Sequence, residues 1–380
     1  MSDVIVVGGG PAGASATIEL ARAGASVVLL DRDTFPRDKT CGSGLSPNAI
    51  AMADRLGVGV EVRERAYPIQ SVKIVTPGGR EMVLASNAAA VVLLRRDFDE
   101  LLVRRAQALG ATLRDGVRAS ALLREGERVV GVRTADGEEL RARYVLCADG
   151  SHSIFSSDSR PKPTISTLMG WWEDVATAPG QLEMIFDHDL MPLYGWLFPE
   201  SDRRVNIGIC MEGQEAGGGK ATRNVRQVFD MFLARHYSAR LRGARQVGRF
   251  KGHPIVYTRW VDHCTAPGAM YIGESARLTN YATGEGISQA MHSGALAAGL
   301  LADVLGGRRS EASAMREYVW RLRARFAMEF GVATAVRGAV RSRLLDGIAA
   351  AFGNPRVRRA VVGVLGSALA GAPVQATGER

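Results

Sequence analysis

The sequence predicts an α/β fold: a nucleotide-binding domain built on a parallel sheet, interleaved with an antiparallel β-sheet domain and followed by a C-terminal helical segment. Three observations predict it. Residues 3–32 read strand, glycine turn, helix, strand. Two later apolar strands run into Asp149-Gly150 and Gly273-Glu274. The stretches at 71–94 and 161–264, which separate these elements, are strand-rich and show period-two patterning, clearest at 194–198.

The opening stretch, DVIVVGGGPAGASATIELARAGASVVLLDR, justifies the first element. Residues 4–7 form a continuous apolar run, the pattern of a strand covered on both faces. Gly8, Gly10 and Gly13 then fit G-x-G-x-x-G, with Pro11 and Ala12 at the helix start. Gly8 permits the sharp turn, Gly10 lets the backbone approach a pyrophosphate, and Gly13 lets the helix pack on the sheet. The helix aims its free N–H groups and positive dipole end at the phosphates. The second strand ends at Asp31, eighteen residues past Gly13, where a carboxylate accepts from ribose hydroxyls; Arg32 follows it. This is a Rossmann-like unit for a dinucleotide, and the motif alone leaves FAD and NAD both open.

Three later stretches narrow the choice. LLRRDFDELLVRRAQALGA at 93–111 opens a helix whose apolar face carries Leu101, Leu102, Ala106 and Leu109. YVLCADGSHS at 144–153 is a strand ending in Asp149-Gly150, and GAMYIGESARLTNYATGEGISQAMHSGALAA at 268–298 is a strand, a loop and a helix. In this order they resemble the FAD-binding fold of glutathione-reductase type, in its aromatic-hydroxylase-like branch. The resemblance implies FAD as cofactor. It places Arg95 near FAD, with Phe98 and Asp99 completing R-x-x-F-D, and makes Asp149 and Gly150 a D-G element. Gly273 and Glu274 become the pair whose acid meets the ribityl chain, and Gly284, Gly286 and Ile287 the helix start facing the pyrimidine end of the flavin. Backbone N–H groups there stabilise negative charge on reduced flavin. The chain departs from the family in three places. The arginine that usually follows D-G is missing from Ser153-Ile154-Phe155, Glu274 replaces an aspartate, and Tyr281 replaces a proline that lies against the ring. Tyr281 is therefore a candidate for shaping the substrate pocket.

Two further stretches point to one branch. RDKTCGSGLSP at 37–47 resembles the K-P-C-G-G-G-L-S-P segment of the geranylgeranyl reductase family, through Lys39, Cys41, Gly42, Gly44, Leu45, Ser46 and Pro47. YGWLFP at 194–199 resembles its Y-x-W-x-F-P strand, with Thr40, Ser43 and Glu200 as departures nearby. Alternation sets Tyr194, Trp196 and Phe198 on one strand face, an aromatic wall suited to an isoprenoid or polyene chain, and Pro199 closes the strand. The resemblance spans nearly the whole chain, most weakly between about 210 and 265, and implies an FAD-dependent reductase of carbon–carbon double bonds. It brings Cys41 and Gly42 beside the flavin and makes Cys41 and Tyr194 candidate proton donors; a free thiol keeps its proton at neutral pH. An FAD monooxygenase uses the same fold, and a flavin halogenase is the more distant alternative, since the W-x-W-x-I-P box is missing. NAD(P)H or another reductant, or an electron-donor partner, supplies the electrons.

The domains expected are an FAD-binding domain from 1–70, 95–160 and 265–325, a substrate-binding domain from 71–94 and 161–264, and a C-terminal helical segment from 326–380. Residues 215–224 read as a flexible loop. Composition excludes other classes. Hydrophobic residues make up 46% and charged residues 23%, as in soluble globular proteins. The net charge of +9 favours an anionic partner, but no recognition helix or basic-aromatic stripe marks a nucleic-acid binder. The arginines from 316 onward, interspersed with Leu, Val and Phe, suit either a solvated helical face or peripheral contact with an anionic membrane. The four cysteines form no C-x-x-C pair and have no histidine at ligand spacing, so neither a metal site nor a disulfide framework is expected, and Cys147, Cys210 and Cys264 read as packing residues. No secretory leader or apolar run of about 18 residues is read, which predicts a cytoplasmic protein.

Overall fold

The computed structural model describes residues 1–85, 90–156, 163–213, 224–342, 344–357 and 359–360. Its helices are α1 (Pro11–Arg22), α2 (Pro47–Leu56), α3 (Gly59–Arg65), α4 (Arg95–Ala108), α5 (Val225–His236), α6 (Ile287–Leu305), α7 (Glu311–Arg341) and α8 (Leu344–Ala351). Parallel strands set the frame of the first sheet, in the order Ala269–Tyr271, Glu139–Cys147, Ser2–Val7, Val27–Leu30 and Thr112–Arg114. Val4, Ile5 and Val6 at its centre are fully buried, as their continuous apolar run requires. α1 starts with Pro11 at its first turn, where a missing N–H costs nothing, and packs against α4 and α6.

The second sheet runs Arg245–Val256, Thr164–Glu173, Arg204–Glu212, Gly195–Pro199, Gln181–Ile185, Ser71–Val75, Glu81–Ala85. The expectation of an antiparallel sheet needs one correction: Gln181–Ile185 runs parallel to Ser71–Val75. These two strands come from separate segments joined through the first sheet, so no tight hairpin forces them to run antiparallel. α5 covers this sheet and buries Phe229 and Phe232 in its own apolar cluster with Trp172 and Ile207.

A small sheet of Gly44–Leu45, Val91–Val92 and Tyr67–Pro68 ties the cysteine-bearing loop to the chain that crosses between the two larger sheets. α7 buries Tyr318, Leu322, Phe326 and Phe330 in one stripe at four-residue spacing. It passes unbroken through 325–326, where a segment boundary was expected, because that stripe continues across it. Residues 215–223 of the expected flexible loop, and the chain beyond 360, lie outside the described residues. Among the described residues, no helix is long and apolar enough to cross a membrane.

Candidate functional site

A cavity of about 670 Å³ takes its walls from both large sheets. At one end lies the glycine turn. Gly8 has φ +103°, and a Cβ there would sit 2.3 Å from the Ala148 carbonyl oxygen, so only glycine makes this turn. A Cβ on Gly13 would sit 1.9 Å from the Gly8 carbonyl oxygen, which is the close helix–strand packing expected of the third glycine. Gly8, Gly10, Pro11 and Ala12 line the cavity, whereas Gly13 acts beneath it. No side chain caps α1, so its first N–H groups face this space. A Cβ on Gly10 would meet only the guanidinium nitrogens of Arg95 and Arg37, at 3.8 and 4.0 Å. Those two cations share Asp99, which is fully buried: Arg37 donates to it at 3.0 Å and Arg95 at 2.7 and 2.9 Å. An open helix N-terminus flanked by two guanidinium groups fits a pyrophosphate.

Asp31 also lines the cavity. Its oxygens accept from Gly9 N–H at 2.8 Å, Asp33 N–H at 3.0 Å and the Arg37 fork at 3.1–3.2 Å. A ribose hydroxyl would share this carboxylate with Arg37, a competitor that sequence reading missed. Arg32 lines the rim and pairs with Asp33 at 3.4 Å. Asp149 accepts from Ser275 Oγ at 3.0 Å and Ile154 N–H at 3.1 Å, while burial pushes its carboxyl up; Gly150 beside it turns at φ +83°. Burial also raises the Glu274 carboxyl, whose Oε1 accepts from Val256 N–H at 3.0 Å. Gly273 does not line the cavity; its N–H donates to Ser293 and its Cα packs under α1 and α6. Gly284, Gly286 and Ile287 line the cavity at the start of α6.

The other end is apolar. Tyr194, Trp196 and Phe198 all line it, with neighbouring rings 6.4 and 6.0 Å apart, beside Met169 and Met184. Trp196 Nε1 donates to Asn206 at 2.7 Å. Tyr194 donates to the Thr283 carbonyl at 2.5 Å, and burial holds its phenol well above its ordinary value. Pro199 ends the strand without lining the cavity. Cys41 and Gly42 lie between the two ends, with Gly42 against the Phe198 ring. The Cys41 sulfur accepts from Ser43 N–H at 3.3 Å.

Tyr281 corrects an expectation, because it is not in the cavity wall. Its ring stacks on Tyr257 at 5.5 Å and its hydroxyl bonds the Phe330 carbonyl and Thr334 of α7. α7 draws the ring away because it offers a phenol both apolar contact and a buried acceptor. Cys210, expected to be a packing residue, is buried but also lines the cavity, and burial pushes its thiol up to about 12. Cys147 and Cys264 are buried elsewhere in the core.

The structure adds residues that sequence reading did not single out. Lys39 Nζ lies 2.6 Å from His253 Nε2, and Ser151 Oγ lies 2.7 Å from the same nitrogen. Burial lowers the Lys39 ammonium to about 8, and burial with the Lys39 charge lowers the His253 imidazolium to about 3. Glu285, inside the T-G-E-G-I stretch, brings a half-buried carboxyl to the wall beside Ser46. Lys39 and Glu285 stood in recognised motifs; nothing in the sequence pairs Lys39 with a histidine 214 positions away.

The chain is similar to known proteins over most of its length. Residues 1–327 match the family model described as FAD binding domain. The chain is 32% identical over 326 residues to a menaquinone reductase of Mycobacterium tuberculosis, covering 79% of this chain and 76% of that protein. It is 29% identical over 346 residues to digeranylgeranylglycerophospholipid reductase 1 of Methanopyrus kandleri, covering 88% and 89%. Among solved structures, a geranylgeranyl bacteriochlorophyll reductase-like protein of Thermoplasma acidophilum superposes with a TM-score of 0.80 at 22% identity, covering 96% of this chain and 99% of that one.

Proposed function

The chain belongs to the FAD-binding domain family, in its geranylgeranyl reductase branch, and from that premise we propose that it is an FAD-dependent reductase of carbon–carbon double bonds in an isoprenoid-like or other long unsaturated, hydrophobic substrate. One observation carries this reading. The nucleotide cradle at α1 and the aromatic wall of Tyr194, Trp196 and Phe198 open into one continuous cavity. The names of the matched relatives, reductases of menaquinone and of digeranylgeranylglycerophospholipid, support the substrate class.

FAD, when bound, supplies hydride equivalents, and NAD(P)H or another reductant replaces the electrons. The chain's own residues do the rest. The α1 N-terminus with Arg37 and Arg95 holds the pyrophosphate, and Asp31 takes the ribose. Glu274 and the start of α6 face the remainder of the cofactor. Trp196, Phe198, Met169 and Met184 align an apolar chain and exclude water. Cys41 stands where cofactor and substrate meet, as a proton donor or as the residue that orders its loop. Along α7, Arg316 lies on one exposed face with Trp320 and Met328, which supports peripheral contact with an anionic lipid surface on the cytoplasmic side.

Anaerobic turnover tests this reading. Polyene or prenyl-quinone substrates should be saturated without oxygen, and the product should gain two hydrogens by mass. A strict oxygen requirement with oxygen in the product would make the protein a monooxygenase instead. Cys41→Ala separates the two roles of the thiol: unchanged turnover at full FAD content rules out proton donation.

A further inference from the structure

We infer that Glu285 is the acid that protonates the substrate carbon, a role that rests on the alkene-reductase reading above. Glu285 lines the cavity at the start of α6. Two hydroxyls converge on a single oxygen of its carboxyl. Ser46 Oγ donates to Oε1, and Ser288 Oγ lies 2.8 Å from the same atom. Ser46 caps α2 and accepts from Ala49 N–H at 3.3 Å, which holds its hydroxyl against the Glu285 carboxyl. Ser288 Oγ also lies 3.1 Å from Gln289 Oε1, which only accepts, so its single proton serves that oxygen and a proton on Glu285 bridges the 2.8 Å contact between the carboxyl and Ser288.

The backbone under Glu285 is fixed. Asn280 N–H donates to the Glu285 carbonyl at 2.8 Å, and Gly284 N–H returns a bond to the Asn280 carbonyl at 2.8 Å. The charged and titratable groups facing the carboxyl are Glu329 and Arg325 of α7 and Tyr194 of the aromatic strand. Burial pushes the carboxyl up, Glu329 adds to this, and the two hydroxyls and Arg325 oppose it.

The other proton-bearing groups in this corner are worse placed. The Tyr194 O–H donates its hydrogen bond to the Thr283 carbonyl at 2.5 Å, away from the substrate, and burial holds its phenol well above its ordinary value. The Cys41 sulfur is turned back into its own loop, where it accepts from Ser43 N–H at 3.3 Å. A neutral carboxylic acid is a stronger acid than either a phenol or a thiol.

The step balances. Reduced FAD, when bound, would supply hydride to one alkene carbon, and Glu285 would give its proton to the neighbouring carbon. The π bond is replaced by two C–H bonds, and the carboxylate left behind takes a proton from solvent. The two electrons come from the reductant named above.

The test uses FAD-loaded enzyme. Infrared difference spectra at neutral pH between wild type and Glu285→Gln should show the carbonyl stretch of a protonated acid, shifted in deuterium oxide. In anaerobic single turnovers of enzyme reduced beforehand with dithionite, Glu285→Gln should saturate substrate ~10²–10⁴-fold more slowly at equal FAD content, and Glu285→Asp should recover part of the rate. A missing acid band, or a Gln variant as fast as wild type, overturns the assignment of Glu285. If Glu285→Gln does not hold FAD, Ser288→Ala decides: removing one hydroxyl from Oε1 should shift the acid band, and an unmoved band overturns the assignment. A wild type that saturates no alkene refutes the proposed reaction instead, whatever the band shows.

Discussion

Lys39 and His253, 214 positions apart in the chain, meet with Nζ 2.6 Å from Nε2. An ammonium only donates, so Nε2 accepts, and the imidazole is neutral with its proton on Nδ1. Ser151 Oγ, 2.7 Å from the same nitrogen, completes the contact. The pair joins the cysteine loop to the strand Arg245–Val256, across the cavity.

This contact sets a pH dependence. His253 takes up a proton at about 3 in the folded chain, against 6.5 for an ordinary histidine. Between these values the unfolded chain binds more protons. The stability is therefore complete above 6.5 and is lost as pH falls towards 3, by at most ~1.4 kcal/mol per pH unit before solvent screening. Lys39 acts at the alkaline end. Between about 8 and 10.5 the folded chain has released a proton that the unfolded chain keeps, so stability rises with pH across that window. Urea unfolding from pH 4 to 10 should show both slopes, and His253→Gln should flatten the acid one.

Gly13→Ala should abolish the cofactor cradle. Its Cβ would stand 1.9 Å from the Gly8 carbonyl, a backbone atom that cannot step aside without moving the turn. A loss of ~1–3 kcal/mol in denaturant unfolding and a colourless purified protein are expected.

Trp196→Phe keeps an aromatic ring in the wall but removes the donor to Asn206, a residue with no solvent exposure. Asn206 also donates to the Gly170 carbonyl at 3.2 Å, so its amide cannot simply turn over. An unpaired buried acceptor should cost ~1–3 kcal/mol in chemical denaturation.

Tyr281→Phe should lower stability by ~1 kcal/mol through the lost bond to the Phe330 carbonyl, while FAD content and KM stay at wild-type values. A raised KM would return Tyr281 to the substrate wall.

Much of this site was readable from local sequence. The strand–turn–helix around Gly8 and Gly13 depends on contacts within thirteen residues, and the face shared by Tyr194, Trp196 and Phe198 follows from the two-residue repeat of a strand. What escaped depended on distant partners. Arg37 on Asp31 is a side-chain choice between two nearby carboxylates, since Asp99 also holds it. Tyr281 was assigned by its position in a motif, but its direction is decided by α7, some fifty residues later. The parallel pairing of Gln181–Ile185 with Ser71–Val75 has no local signature, because either direction suits the same alternation.

α7 is fastened to both halves of the molecule. Near its start, the Tyr318 hydroxyl holds the Tyr271 carbonyl of the first sheet at 2.9 Å. Near its end, Arg337 holds both the Tyr281 carbonyl and Glu212, the last residue of a strand in the second sheet. A rod tied at both ends keeps the gap it spans at constant width. A bulkier lipid must then be admitted by rotation of the Met169, Met184 and Phe198 side chains, and swapping those three is the direct route to changing which chain the enzyme accepts.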